Sequence, residues 1–192
     1  IYGVAVDLTD SDPQAEGNTN STMANTHAAI YYVLIAIVDP DMPANSGCYR
    51  PIDVITKAGS VVDPILPGAV AARTNCSQKI VEAMYKAFAP LTPDRVTAGS
   101  HGQITTCGFG GTDPNNGERF IYTEIQVGGN GARPTKDGAD GQDGHLPRFM
   151  NTPIEAVETR FPVRIERYGF VPDSGGAGTF RGSLAMVRDV KL

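Results

Sequence analysis

The hydrophobic positions change period several times along the chain, and each change marks an element. In residues 1–8, Ile1, Gly3 and Ala5 alternate with Tyr2, Val4 and Val6, the two-residue period of a strand. A polar loop, 9–22, follows. Residues 23–38 are apolar nearly all round after His27, which predicts a central helix ended by Asp39-Pro40. Residues 39–51 read as loop and Ile52 to Thr56 as a short strand, which Val61 and Val62 can resume after the turn at 57–60. Ile80, Ala83, Met84, Ala87 and Phe88 stand at i, i+3, i+4, i+7 and i+8 and predict a second helix. Asn75 is its expected cap with Gln78 as reciprocal partner, and Glu82 and Lys86 pair on its wet face. Residues 97–118 read as Gly-rich loop, Arg119 to Ile125 as strand and 127–148 as polar loop. Phe161 to Tyr168 and Ser183 to Val190 read as strands. The order β-α-β-α-β-β-β predicts one α+β unit with a mixed sheet, two main helices and long Gly-rich loops, with no boundary inside 1–192.

Composition narrows the partners. Among 192 residues, 16 Lys+Arg stand against 21 Asp+Glu, a net charge of −5, which argues against nucleic acid or an anionic membrane as main partner. The longest apolar run, Ala28 to Val38, is far short of the roughly 20 residues of a membrane-spanning helix. Cys48, Cys76 and Cys107 are widely spaced without CxxC, so a disulfide framework or zinc ribbon is not expected and a reducing cytoplasm is. The chain starts and stops inside strand-like patterns, and the expectation is a portion of a longer subunit.

Chemistry-bearing residues gather in the loops. Asp137, Asp140, Asp143 and His145 offer oxygen and nitrogen ligands, but their spacing is not that of an EF-hand. They read either as a cation loop or as Asp-Gly turns. Gly128-Gly129-Asn130-Gly131-Ala132-Arg133 can bring backbone close to a ligand, with Arg133 as a clamp for carboxylate or phosphate. Neither this segment nor Asp173-Ser174-Gly175-Gly176-Ala177-Gly178 opens a helix, so neither is a dinucleotide or P-loop motif. Tight turns are the competing reading of both. His101 is the preferred general base of the three histidines, although Ser100-His101 lacks a nucleophile elbow. His27 reads as a core residue. Cys76, at a predicted helix start, reads either as an activated thiol or as a small buried residue. Glu155 and Glu158, at i,i+3, share one helical face and can pair for acid/base work, or simply be solvated.

Taken in order, these blocks resemble the hydantoinase B/oxoprolinase family. The carrying segments are Val6-Asp7-Leu8-Thr9 with Gly17-Asn18-Thr19-Asn20, Asp39-Pro40-Asp41-Met42-Pro43 through Arg50-Pro51, and Asn75-Cys76-Ser77-Gln78. The remainder are 128–133 with Asp137-Gly138, Asn151-Thr152-Pro153-Ile154-Glu155 with Glu158, and 173–182. The family pattern reads Arg-Gly-Gly near the end, where this chain has Arg181-Gly182-Ser183. The resemblance implies part of a larger hydantoinase B-type subunit acting with a hydantoinase A-type subunit that binds ATP with Mg. The implied activity is ATP-dependent opening of a cyclic amide: a hydantoin, oxoproline or lactam. The alternatives are ketone carboxylation of the acetone/acetophenone type, and a non-catalytic scaffold. A divalent metal is implied only in parts of the subunit outside this chain, so its ligands are unassigned. The residues suited to the chemistry are His101, Asp137, Glu155 and Glu158 as catalytic groups. Gly129, Arg133, Ser174, Gly175 and Gly176 are the expected substrate contacts.

Overall fold

A computed structural model of the chain describes residues 3–192. The chain forms two compact units, Ile1–Val96 and Thr97–Leu192; the sequence pattern marks no such boundary. The first unit contains β1 (Val4–Asp7), α1 (Met23–Val38), α2 (Ser46–Tyr49), β2 (Ile52–Ile55) and α3 (Arg73–Phe88). The second contains β3 (Thr105–Thr112), β4 (Arg119–Gln126), α4 (Ile154–Arg160), β5 (Arg164–Phe170) and β6 (Met186–Lys191). The fold is α+β. Parallel and antiparallel pairs both occur, distributed over three two-stranded sheets: β1–β2 parallel, β3–β4 and β5–β6 antiparallel. The start of the first predicted strand, Ile1 and Tyr2, lies outside the described residues.

In the first unit α1 packs against α3. The apolar run makes α1, and Thr22 caps it by accepting from the Asn25 amide at 3.4 Å. At its other end the Arg95 guanidinium donates to the Ile37 and Val38 carbonyls, both at 2.8 Å, satisfying C-terminal acceptors that the helix leaves open. One face of α1 is buried, Ala29, Ile30, Val33, Leu34 and Ile37, while Val38 is 59% exposed. His27 is half-buried and stacks on Tyr31, whose ring stacks on Tyr49 at 4.2 Å. It belongs to a surface aromatic ladder and not to the core.

The second helix departs from its expected register. It starts at Arg73 after Ala72, with no side-chain cap, so Asn75 lies inside its first turn. Its buried stripe is Ser77, Gln78, Ile80, Val81, Met84 and Tyr85, whereas Ala83 and Ala87 face solvent. Val81 and Tyr85 bury more apolar area than the two alanines, and the helix turns accordingly. Glu82 pairs with Lys79 at 3.7 Å. Burial pushes the Cys76 thiol up from its ordinary value, the opposite of an activated cysteine.

The largest difference in the second unit is β3, where a Gly-rich loop is expected. Gly108, Gly110 and Gly111 carry no side-chain pattern, yet Thr105–Thr112 pairs residue by residue with Gln126–Arg119. Tyr122, Val157 and Val163 form the buried centre, with Phe109, Phe120, Phe161 and Val190 packed around it. Beside it lies a buried ion pair between Glu124 and Arg188, with side chains 7% and 4% exposed. Glu124 also accepts from the Tyr122 hydroxyl and from the Thr152 amide at 2.6 Å. Burial pushes the Glu124 carboxyl up, but the Tyr122, Thr152 and Arg188 donors outweigh it and leave the group below its ordinary value. The same neighbourhood, burial first, pushes the Tyr122 hydroxyl up to about 12.

Candidate active site

The second unit carries a cavity of about 470 Å³ whose lining includes His101, Gly128, Gly129, Ser174, Gly176 and Ser183. Three separate loops supply these residues, and short-range backbone chemistry sets each one.

The first loop aims His101. Gly102 has φ +70°, a left-handed conformation that favours glycine, and its amide donates to the Ser100 hydroxyl at 3.0 Å. Ser100 therefore shapes the turn. The amides of Ala98 and His101 donate to Ala132 and Gly129 carbonyls at 2.9 and 3.1 Å, clamping this loop to the second.

The second loop, 128–133, approaches its neighbours more closely than any side chain allows. A Cβ on Gly128 would lie 2.4 Å from the His101 ring, one on Gly131 2.2 Å from the Ala98 carbonyl oxygen, and one on Gly138 2.1 Å from that of Asn130. One on Gly129 would overlap the Ser183 hydroxyl at 1.7 Å. These glycines serve chain-to-chain contact, and the bare Gly129 leaves the space that Ser183 fills. Among the described glycines, positive φ occurs at Gly59, Gly102, Gly117 and Gly141, none of them in 128–133.

The third loop, 173–184, is held by the aspartates. Arg181 makes a two-pronged contact with Asp140 at 2.9 and 2.8 Å and lies 3.6 Å from Asp137. Asp137 accepts from the Arg181 amide at 2.9 Å and Asp140 from that of Leu184 at 2.7 Å. Those bonds, Arg181 first, hold the Asp140 carboxyl down at about 2. Ser174 donates to the Val171 carbonyl and accepts from the Ala185 amide, both at 2.7 Å, and Asp173 turns the chain with φ +57°.

Asp143 does something different. Its side chain is fully buried, and Oδ1 lies 3.5 Å from Nε2 of His101. Burial raises its carboxyl pKa and the neighbouring His101 pulls it back. The three aspartates of one short segment thus divide into two that fasten a loop and one that faces the histidine. Among the described residues no three His, Cys, Asp or Glu side chains converge as a metal site. With Asp137 and Asp140 turned to Arg181, this loop does not fit a cation.

Of the residues suggested by sequence, His101, Gly129, Ser174 and Gly176 come together on the cavity, while Gly175 does not line it and packs on the Gly182 carbonyl. Arg133 sits in a turn closed by its amide to the Lys136 carbonyl at 2.9 Å. Asp137 is about half exposed and bound to Arg181. Glu155 and Glu158 are exposed on α4, where Glu158 accepts from the Ile165 amide at 2.7 Å. Asp137, Arg133, Glu155 and Glu158 do not line the cavity. Sequence reasoning does not separate Asp143 from its neighbouring aspartates, because only the folded loops bring it to His101.

Comparison with known proteins gives a family and its members. The family described as Hydantoinase B/oxoprolinase matches residues 2–192. A 5-oxoprolinase of Pestalotiopsis fici is 33% identical over 98% of this chain and 15% of its own length. The B component of a candidate D-/L-hydantoinase from a Pseudomonas species is 32% identical over 98% of this chain and 33% of its own. Among solved structures, the ATP-dependent caprolactamase of Pseudomonas jessenii superposes with a TM-score of 0.82 and 29% identity, over 98% of this chain and 34% of that one. Acetone carboxylase shares the fold at a TM-score of 0.74 and 17% identity. The chain thus spans a third or less of the two relatives' length and about a third of the caprolactamase chain.

Proposed function

The chain belongs to the hydantoinase B/oxoprolinase family, and from that premise we propose that it is the His101-bearing part of an ATP-dependent enzyme that opens cyclic amides. The observation that carries this reading is the likeness to the ATP-dependent caprolactamase across 98% of the chain. The oxoprolinase and hydantoinase relatives support the same substrate class. A partner subunit of the hydantoinase A type holds ATP with Mg, which supplies activation of the amide oxygen by phosphorylation. Any divalent metal belongs to parts of the subunit outside this chain. The assembly is cytoplasmic, in keeping with three free thiols; among the described residues no helix is long and apolar enough to cross a membrane.

This chain's own contribution is proton handling in a walled cavity. His101 takes a proton from the attacking water as the new C–O bond forms at the activated carbon. It returns that proton to the ring nitrogen as the C–N bond breaks, and a second water then cleaves the resulting acyl phosphate to the free carboxylate and inorganic phosphate. The closely packed glycine loops hold the ring in place, which is where most of the advantage of a positioned base arises.

The test uses the full-length subunit with its ATP-binding partner. We expect ADP and ring-opened product to form in equal amounts with at least one of 5-oxoproline, a hydantoin or caprolactam. No carbon from labelled bicarbonate should enter the product. ATP turnover that depends on a ketone and fixes labelled bicarbonate would replace this reading with the carboxylase one. Undiminished ring opening by a stable His101→Asn complex would reduce this chain to a scaffold.

A further inference from the structure

We infer that Asp143 is the positioning residue for His101: its buried carboxylate orients the imidazole through Nε2, leaving Nδ1 for the water proton. The inference rests on the cyclic-amide reading above and adds a residue to it.

Two buried carboxylates in the same unit make the contrast. Glu124 is surrounded by the Tyr122 hydroxyl, the Thr152 amide and Arg188, as a structural carboxylate in a dry interior must be. Asp143 is equally buried, and neither of its oxygens has a hydrogen bond. Among the described residues, its one ionic partner within 4 Å is His101. Leaving a carboxylate so poorly matched is costly, and burial correspondingly raises its pKa. Such mismatches concentrate where a charge is needed during a reaction.

The geometry fits the role. The Nε2–Oδ1 separation of 3.5 Å exceeds a hydrogen bond, as is common before substrate closes a site. Nδ1 has no hydrogen-bond partner and is packed against Gly128, part of the cavity wall, so substrate binding must open this contact before a water reaches it. When Nδ1 accepts the water proton, positive charge develops on the ring and Nε2–H donates to Asp143. The carboxylate stabilises the imidazolium without taking the proton. On the same loop, Asp137 and Asp140 are turned to Arg181, and His145 lies two residues from Asp143.

The test is made in the full-length complex. Asp143→Asn keeps the shape and removes the buried charge, so its thermal midpoint should equal or exceed that of the parent. Its kcat should fall by about 100-fold or more, with KM changed less than threefold. The double variant Asp143→Asn/His101→Asn should lose no more than His101→Asn alone, because groups acting as a unit are not additive. A crystal structure of Asp143→Ala should show the His101 ring turned from Gly128. The inference is overturned if Asp143→Asn keeps kcat within threefold, if the two losses multiply, or if the ring is unmoved in Asp143→Ala. A parent complex inactive on every cyclic amide would sink the substrate reading, and the ring position would still decide the role of Asp143.

Discussion

Replacing Arg188 by Met should destabilise the second unit by about 3–5 kcal/mol, the usual cost of removing one partner from a buried ion pair. Met fills much of the same volume, so packing loss is small and the effect is electrostatic. It strands Glu124, whose side chain is 7% exposed, beside the Tyr122 hydroxyl and Thr152 amide alone. It also removes the guanidinium stacked 5.2 Å from the Tyr168 ring centre. The companion Glu124→Gln should be milder, since it lowers the charge to be buried. The pH dependence has a definite sign. The Glu124 carboxyl titrates below its ordinary value of 4.5 when folded. Its stabilisation is therefore complete above that value and is lost as pH falls through the lowered folded value. In Arg188→Met the lowering is reduced, and the acid limb of the stability curve should flatten. Thermal melts of the full-length protein between pH 3 and pH 7 measure both effects. A melting point unchanged at pH 7 would contradict the assignment.

Gly131→Ala should cost about 1–3 kcal/mol of stability by overpacking and about 100-fold in turnover. Its Cβ would lie 2.2 Å from the Ala98 carbonyl oxygen and 2.5 Å from that of Gly99. Both are backbone atoms, which cannot rotate aside, so the 98–101 segment must move by about an ångström. That segment carries His101, and a displacement of this size costs roughly two orders of magnitude where a reacting group is positioned. Gly169→Ala is the control, because nothing lies within 4 Å of its Cβ position; its turnover should match the parent. Steady-state kinetics with thermal melts reads both variants. Parental kcat in Gly131→Ala would show that the close approach of these loops does not set the histidine.

The two long helices are legible because side chains announce them, whereas the short α2 lies in a stretch that reads as loop and α4 is absent from the expected order of elements. The apolar run and the Asp39-Pro40 stop define α1 at Met23–Val38. The α3 stripe differs by one position from the apolar pattern, because that pattern weighs Ala83 and Ala87 equally with Val81 and Tyr85. Strand β3 had no such signal: its glycines contribute only backbone hydrogen bonds, whose partners lie on β4. Of the residues expected at the site, His101, Gly129, Ser174 and Gly176 line one cavity. The tasks of Asp137, Asp140 and Asp143 are not legible in the sequence, because an aspartate facing Arg181 and one facing His101 look alike until the loops are folded. The glycines of 128–133 suggest a ligand cradle or tight turns, and serve instead to let two loops touch.

The most direct test of the central claim is a crystal structure of the full-length complex with a non-opening cyclic-amide analogue bound. Density for the analogue is expected in the cavity bounded by His101, Gly129 and Ser183, with its carbonyl carbon within one water of the His101 ring and Asp143 drawn into hydrogen-bond range of Nε2. An analogue seated away from this cavity, with His101 and Asp143 unchanged, would contradict it.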